Sequence, residues 1–595
     1  MCRKQKKYFS GLLFAGLLLA SGKIYAESDF EKAESFLEEF YKDPKENINQ
    51  SPIRDYSQAT HIDEKEWDTF RQIVRKQRQQ AIENESLQSP RDLILKHSGK
   101  TAEKNTKRTW LDIDAPESIL GNTYLKDVSA LPTFGQAVDE KKRPVGWSND
   151  YWPIAYGSLS MRYAHARSYP SYREAFNLYQ QPQDYFGLIK NNNLPTSLQT
   201  DTWSPAEKYD LLVGDRQFTL TNKLKNEGFT YAKYDEKSLE KDRDGNITQI
   251  IALKEDVALW MGKCHGWAAA ATTVPRITQQ ITLTGANGDI IHFHADDIRG
   301  LVTLKWAQSP YRTLTMGGRC NKSLKKGEIK IDADTGAIYD DECFDVNPGA
   351  FRIALGNYIG LRKKGMVMDA TFDDEVWNHP IQKYQVLGYF NPDTRQIIKV
   401  KKTGVASAGR IPSKAIAPYG FKKDPFSKLR EEKWKDAHQH ERQWIKYKRE
   451  HEGKEFRPSS IVGEIISVTY LVETKPKHGE SYPDQFVTVT YVYDLELNDS
   501  GNIVGGEWYS NKHPDFLWAV DEYSAQTGPM NGIDDFIQET VKNLKLTHYN
   551  GTPKSLANIN LVKVRGEKTL AQYSSSMEAA PLATVINYLV EQTKE

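Results

Sequence analysis

The stretch that decides the fold reads Met261-Gly262-Lys263-Cys264-His265-Gly266-Trp267-Ala268-Ala269-Ala270-Ala271. Alanine is the best helix former, so the run at its end predicts a helix that begins near Cys264. At a helix N-terminus, unpaired backbone N–H groups and the helix dipole lower the pKa of a thiol. The same N–H groups can hold an oxyanion. We interpret Cys264 as a nucleophile; the alternative is a structural cysteine that opens a core helix.

The residues next to the cysteine support that interpretation. Gly262 and Gly266 have no Cβ and so allow close approach of another backbone. We expect Trp267 to wall a cleft beside the thiol. A single reactive cysteine also needs a base from elsewhere in the chain.

The first 26 residues predict an export signal. Four basic residues precede a short apolar stretch at 11–20, and a cleavage site of the small-residue type follows at 24–26. The apolar stretch is too short to span a bilayer, and no later run is long enough. We therefore expect a secreted or periplasmic protein with no integral membrane segment.

Cysteine parity singles out the same residue. Of the four cysteines, Cys2 would leave with the signal. Cys320 and Cys343 flank a predicted hairpin at 328–338, and we expect them to form a disulfide in an oxidising compartment. Cys264 then remains as the free thiol.

Length, charge and composition limit the class of protein. The chain has 595 residues, too many for one ordinary core. Lys+Arg 80 against Asp+Glu 79 gives a net charge of +1, which favours no nucleic-acid partner. We divide the chain into a signal peptide (1–26), a charged helical arm or pro-segment (27–108), a catalytic core (109–425), a charged helix (426–456), antiparallel strands that complete the core (457–525) and a helical tail (526–595).

The arm at 27–108 has too few apolar positions for a core of its own. One hypothesis is that it covers the cleft and is removed by cleavage near 104–107. The alternative is a solvated helical arm. In the tail, amphipathic patterns predict helices at 533–544 and 581–591.

Strand patterns place the chain in the α+β class. Residues 461–470 and 485–497 alternate as antiparallel strands. We also predict a strand at 350–360 and another at 366–368 that ends at Asp369. With the helix at Cys264, this pattern predicts a helix packed against antiparallel strands.

Three patterns resemble metal sites but do not complete one. The segment 242–247 resembles half of a calcium loop, but Ile251 stands where a bidentate acid is needed, so a hairpin turn is favoured. His292 and His294 share one strand face without a third ligand nearby in the sequence, so we interpret them as exposed strand histidines. The histidines at 438–451 have no ligand spacing. We expect neither a metal nor a cofactor.

A family resemblance follows from the segment Val376-Trp377-Asn378-His379-Pro380-Ile381. It resembles the surface peptide V-W-N-Q-P-V of the oomycete transglutaminase elicitor family. Residues 262–267 resemble the nucleophile segment of that family, and residues 151–153, 204–210, 505–508 and 513–518 also resemble family members. The resemblance spans roughly residues 110–520, and V-W-N-x-P is its most specific part.

The resemblance implies a calcium-independent protein-glutamine γ-glutamyltransferase with a papain-like Cys-His-Asp arrangement. Cys264 is then the nucleophile, and Asp369 the carboxylate that orients the base. A histidine is expected in the segment 347–355, predicted as a strand, where this chain has Arg352. Arginine cannot exchange a proton at working pH, so the base would be His379 or His294, and we assign it to His379. The predicted substrate-binding residues are Trp152, Trp267, Arg352 and Trp377.

The resulting hypothesis is a secreted acyltransferase that acts on proteins. Its thiol forms a thioester with a glutamine side chain and passes the acyl group to a lysine amine or to water. Two alternatives remain: a papain-like cysteine peptidase or amidase, and a catalytically silent binding or cell-surface protein on the same fold. The acceptor of the thioester, an amine or water, separates the transglutaminase from the peptidase or amidase. The absence of any turnover identifies the silent binding protein.

Overall fold

A computed structural model describes residues 28–59, 115–163, 200–430, 458–529 and 579–594. Short gaps within these ranges lie at 216–217, 244–246, 255–256, 286–288, 310, 319–328, 330, 339–345, 371–375, 401–409 and 480–482. The predicted signal peptide, the two cysteines of the predicted disulfide, most of the charged helix at 426–456 and the tail helix at 533–544 lie outside the described residues.

The described residues form α-helices, one of which continues as a π-helix, and several short 3-10 helices. The α-helices are α1 (Asp29–Lys42), α2 (Pro44–Asn47), α3 (Glu117–Leu120), α4 (Pro205–Leu212), α5 (Thr219–Asn226), α6 (Cys264–Thr273), α7 (Ala295–Gln308), α8 (Pro348–Ala354), α9 (Glu522–Thr527) and α10 (Ala579–Gln592). The π-helix Leu355–Leu361 continues α8. None of these helices is long and apolar enough to cross a lipid bilayer.

The described strands pair antiparallel throughout. They are β1 (Ile53–Asp55), β2 (Phe134–Gln136), β3 (Leu239–Lys241), β4 (Ile247–Ile250), β5 (Ile281–Thr284), β6 (Ile290–Phe293), β7 (Thr313–Gly317), β8 (Met366–Asp369), β9 (Asn378–Phe390), β10 (Ile397–Lys399), β11 (Ile416–Pro418), β12 (Ser460–Leu471), β13 (Phe486–Leu497), β14 (Ile503–Trp508) and β15 (Phe516–Val520). The chain is therefore a mixed helix and sheet protein, as the sequence predicts.

One large sheet organises the molecule. Its order is β1-β13-β12-β9-β8-β15-β7, with β2 and β10 on β9, β11 on β12 and β14 on β13. Strand β15 alternates between two cores: Phe516, Trp518 and Val520 pack with the helices α6 and α7, whereas Leu517 and Ala519 pack on the other side. The sheet thus lies between two hydrophobic layers, and α6 covers β8, β9 and β15.

Local signals in the sequence account for several elements. Ser204 and Glu207 form a capping box at the start of α4, with Pro205 in the first helical position. Strands β12 and β13 match the predicted strands at 461–470 and 485–497 to within one residue. The predicted hairpin turn at 242–247 falls between the paired strands β3 and β4. Between β13 and β14 the chain turns at Gly501, which has φ of +78°.

The predicted strand at 350–360 is wrong. Residues 348–361 form α8 and the π-helix that follows it. Asn347 caps this helix by accepting the N–H of Gly349, and Pro348 occupies the first turn. Every residue of α8 is buried, so its apolar pattern shows no period that separates a helix from a strand.

The start of the predicted arm packs on the sheet. Helix α1 buries Phe30, Ala33, Leu37 and Phe40, which recur every three or four residues. Strand β1 pairs with β13 over residues 53–55. The boundaries drawn between the arm, the core and the later strands remain predictions.

Candidate active site

Cys264 is the first residue of α6, as the sequence predicts. The glycines around it give the helix close neighbours. A Cβ at Gly266 would lie 2.4 Å from the backbone oxygen of Thr303 on α7, and one at Gly262 would lie 2.5 Å from the oxygen of Tyr151. Only glycine fits at these two contacts, which bring the thiol up against β9.

The thiol is held by two groups at the start of β9. The sulfur lies 3.9 Å from the carbonyl oxygen of Val376, which accepts from the thiol. Nδ2 of Asn378 donates to Sγ at 3.5 Å. Among the described residues, these are the hydrogen-bond partners of the Cys264 side chain.

A tryptophan fixes the orientation of that amide. Nε1 of Trp518, on β15, donates to Oδ1 of Asn378 at 2.8 Å. An indole N–H can only donate, so it must face the amide oxygen. The amide nitrogen is thereby directed at the sulfur of Cys264.

The pKa of Cys264 is raised to about 11, mainly because burial disfavours the charged thiolate. The hydrogen bonds from Asn378 lower the pKa, whereas the charges of Glu473 and Asp369 raise it. The sequence predicts a lowered pKa from the helix N-terminus, and this prediction is wrong because desolvation outweighs that effect. At neutral pH the group is a thiol.

Asp369 braces the segment that carries Asn378. It lies directly opposite Asn378 in the β8–β9 pair. Its Oδ1 accepts the backbone N–H of Trp377 at 2.9 Å, and the residue is fully buried. Asp369 therefore sets the position of Asn378 rather than contacting the sulfur.

His379, the predicted base, is fully buried beside this segment. Its Nδ1 lies 2.8 Å from the carbonyl oxygen of Leu471, and its Nε2 lies 3.6 Å from Oε1 of Glu473. Its ring meets that of Trp267 edge to face at 6.0 Å. The structure does not bring His379 into hydrogen-bond contact with Cys264.

A cleft with a cavity volume of about 80 Å³ opens beside the thiol. Aromatic walls come from Tyr231 and Trp260, and His265 lines the cleft next to Cys264. Glu227 and Lys263 also line it and form an ion pair. The cleft thus combines apolar walls with one pair of opposite charges near the sulfur.

The predicted substrate-binding residues lie elsewhere. Trp152, Trp267 and Trp377 are fully buried core side chains and are not part of the cleft lining described. Arg352 is fully buried as well: Nε lies 2.9 Å from Oε1 of Glu464, and Nη2 donates to the oxygen of Pro132. Their role in substrate binding stays a prediction; in the structure these four side chains pack in the core.

Sequence reasoning missed Asn378, Trp518 and Glu227 as members of the site. Asn378 stands in the V-W-N-x-P element and Trp518 in the stretch at 513–518. The resemblance singles out both stretches, so it indicates the segments that lie beside the thiol, but it does not indicate Asn378 or Trp518 themselves. For Glu227 we find no signal in the sequence.

A second polar cluster lies at the other histidine pair. His294 is buried at the start of α7 and His292 is half-buried, so the prediction of exposed histidines is wrong for His294. Asp201, His294 and His478 each offer a ligand atom, all within 4.8 Å of one another. These residues could hold a metal ion.

The comparison with protein families agrees with the predicted resemblance. Residues 191–400, which contain Cys264, Asp369 and Asn378, match the family model described as transglutaminase elicitor. The crystal structure of the GP42 transglutaminase from Phytophthora sojae is similar with a TM-score of 0.40 and 20% identity, covering 70% of this chain and 91% of that one. A comparison with curated proteins finds no match. The resemblance to the transglutaminase elicitor family is confirmed over the matched residues.

Proposed function

We propose that the chain is a protein-glutamine γ-glutamyltransferase that works through a thioester on Cys264. The observation that carries this proposal is the thiol at the start of α6, held by Asn378 beside an open cleft. The match of residues 191–400 to the transglutaminase elicitor family supports it. We interpret the helix on antiparallel strands as a papain-like core.

The reaction has two halves. Sγ attacks the carboxamide carbon of a glutamine side chain, the thiol proton passes through the base to the amide nitrogen, the C–N bond breaks, and ammonia leaves. A primary amine then attacks the thioester, the C–S bond breaks, and an isopeptide bond forms. Water in place of the amine gives glutamate and restores the thiol.

The described residues take distinct roles in these steps. Asn378 donates to the sulfur and stabilises the developing thiolate. The first backbone N–H groups of α6 have no partner inside the helix, so they are placed to bind the oxyanion. Trp518 and Asp369 act as positioning residues, through the amide of Asn378 and the N–H of Trp377.

The proton acceptor is His265 in this proposal. A thiol with a raised pKa needs a base during attack. His265 lines the cleft beside Cys264, whereas His379 faces Leu471 and Glu473. His265→Ala is therefore expected to lower turnover by two or more orders of magnitude, in the range typical of a lost general base. His379→Ala should lower it less; the reverse ranking would return the role to His379.

The experiment follows incorporation of a fluorescent primary amine into a glutamine-rich protein, together with ammonia release. Cys264→Ala should abolish both signals, because no other described group can form the thioester. Ammonia without amine incorporation would indicate an amidase. Cleavage of the protein substrate would indicate a peptidase.

One observation favours a second candidate function. Cys264 is 7% exposed, and burial holds it as a thiol. A silent binding protein on this fold would show the same feature. If the wild-type chain gives neither amine incorporation nor ammonia release with any glutamine donor, the silent candidate replaces the enzyme.

Export is part of the proposal and rests on residues 1–26. The substrates are then proteins outside the cytoplasm. N-terminal sequencing of the chain recovered from its natural compartment should begin near residue 27. A chain that still starts at Met1 would contradict export.

A further inference from the structure

We propose that Asp201, His294 and His478 form a binding site for a divalent transition-metal ion of the zinc type, with His292 beside it. The site is separate from Cys264 and does not rest on the proposed function. Three remote segments supply it: the turn before α4, the end of β6 with the residue that precedes α7, and the loop after β12.

The carboxylate of Asp201 is the centre of the cluster. Its Oδ1 lies 2.9 Å from Nε2 of His294 and 3.9 Å from Nε2 of His292. Its Oδ2 lies 4.0 Å from Nδ1 of His478. Zinc bonds of about 2.0–2.2 Å place neighbouring ligand atoms roughly 3.3 Å apart, so these atoms need to move only slightly to meet around one ion.

The chemistry of the donors suits zinc rather than calcium or magnesium. Two imidazoles and one carboxylate are the kinds of ligand that borderline metals take, whereas Ca²⁺ and Mg²⁺ take oxygen ligands. Lys208 lies nearby, but its ammonium is paired with Oδ2 of Asp297 at 2.6 Å. Its positive charge is therefore balanced by the carboxylate of Asp297 whether or not a metal ion is bound.

Neighbouring groups orient the rings. Nδ1 of His292 lies 2.9 Å from Oγ1 of Thr282, which leaves Nε2 facing Asp201. Partners of this kind on the second nitrogen usually fix a ligating histidine. The ring of His294 stacks on that of His478 at 4.3 Å, so both rings reach the same carboxylate.

Binding at His294 has one structural consequence. The N–H of Gly479 donates to Nδ1 of His294 at 3.0 Å, so Nε2 carries the proton in the state described. An ion on Nε2 requires the neutral tautomer that carries the proton on Nδ1. The Gly479 hydrogen bond then breaks, and we expect the loop at 477–479 to shift when the ion binds.

Entry from solvent is open on one side. The side chains of His292, His478 and Asp201 are 22%, 26% and 35% exposed, whereas that of His294 is 4% exposed. The ion would therefore join the N-terminus of α7 to the loop that follows β12.

The test measures bound metal and melting temperature on the full chain. Cys264→Ala serves as the background so that its thiol cannot bind the metal. After incubation with Zn²⁺ and desalting, about one ion per chain should remain, and Zn²⁺ should raise the melting temperature by mass action. Ca²⁺ and Mg²⁺ should not raise it.

His478→Ala is the decisive variant, because the residue lies in a loop and its loss should leave the fold intact. It should lower zinc affinity by at least tenfold and remove the thermal shift; His292→Ala should have a smaller effect. His513→Ala is the matched control: that histidine stacks on Trp508, away from the cluster. Absence of retained zinc, or equal retention in His478→Ala and the control, would overturn the proposal.

Discussion

At Cys264, burial raises the pKa of the thiol, and the amide of Asn378 lowers it. Burial is the larger effect, so the thiolate fraction is small at neutral pH and rises about tenfold per pH unit until the pKa is reached. Such a cysteine depends on proton transfer at the moment of attack. The geometry of its neighbours therefore matters more than the helix N-terminus.

The pH dependence of alkylation tests this directly. The rate of Cys264 modification by iodoacetamide should climb from pH 7 to pH 10 without a plateau, because the pKa is about 11. In Asn378→Ala the same curve should lie lower, since the variant loses the donor that favours the thiolate. Mass spectrometry of the Cys264 peptide gives the rate. A plateau below pH 8 would show that the thiol is ionised more easily than the structure indicates.

Removal of the amide should also reduce turnover. We expect Asn378→Ala to lower amine incorporation by roughly 10²-fold, the loss typical of one preorganised donor. Trp518→Phe removes the indole N–H that orients the amide and should cause a smaller loss.

Trp508→Phe is the control, because Nε1 of Trp508 donates to the oxygen of Val346 and not to the site. Kinetics at saturating and limiting amine would separate the effects on kcat and KM. Equal losses in Trp518→Phe and Trp508→Phe would contradict the positioning role.

At the scale of elements, the contact between α6 and α7 holds Cys264 in place. Gly266→Ala would put a Cβ 2.4 Å from the oxygen of Thr303, so the helices must separate. Overpacking of this kind costs about 1–3 kcal/mol of unfolding free energy. Urea unfolding of Gly266→Ala and of the wild type measures this loss of unfolding free energy.

Thr273→Ala, at the other end of α6, is the control for Gly266→Ala. The hydroxyl of Thr273 bonds within its own helix, so its loss should cost about 0.5 kcal/mol or less. If the two substitutions cost the same, the close approach at Gly266 does not matter for stability.

The sequence pattern predicts single helices and strands well here, but it predicts poorly what packs around them. The start of α6 and the strands β8, β12 and β13 follow from propensity and alternation. Helix α8 does not, because it is buried on all sides. Trp152 and Trp267 show the second limit: a sequence does not distinguish an aromatic wall of a cleft from an aromatic core. The histidine cluster shows a third, since its members meet only through the fold.

At the scale of the molecule, the N-terminal segment belongs to the packing of the sheet. The ring of Phe40 lies 4.6 Å from that of Tyr509 and 5.9 Å from that of Phe426, and it is fully buried. A pro-segment that is released whole would have to break these contacts. We therefore expect cleavage near 104–107 to leave residues 28–55 bound to the sheet.

Phe40→Ala measures how much this segment contributes. Deletion of a fully buried phenylalanine costs about 3–5 kcal/mol, seen as a lower urea midpoint for the whole chain. Glu38→Ala, on the exposed side of the same helix, should change it by about 0.5 kcal/mol or less. An unchanged midpoint in Phe40→Ala would show that α1 is a detachable arm.

The place of β15 in the sheet has a consequence for synthesis. It lies between β8 and β7, although about 150 residues separate it from β8 along the chain. Trp518, which orients the amide beside the thiol, comes with it. A ribosome must therefore translate past residue 520 before the strands around Cys264 can close. The growing polypeptide carries its cysteine through about 250 further residues without the group that aligns the amide, so the surroundings of the thiol are complete only near the end of translation.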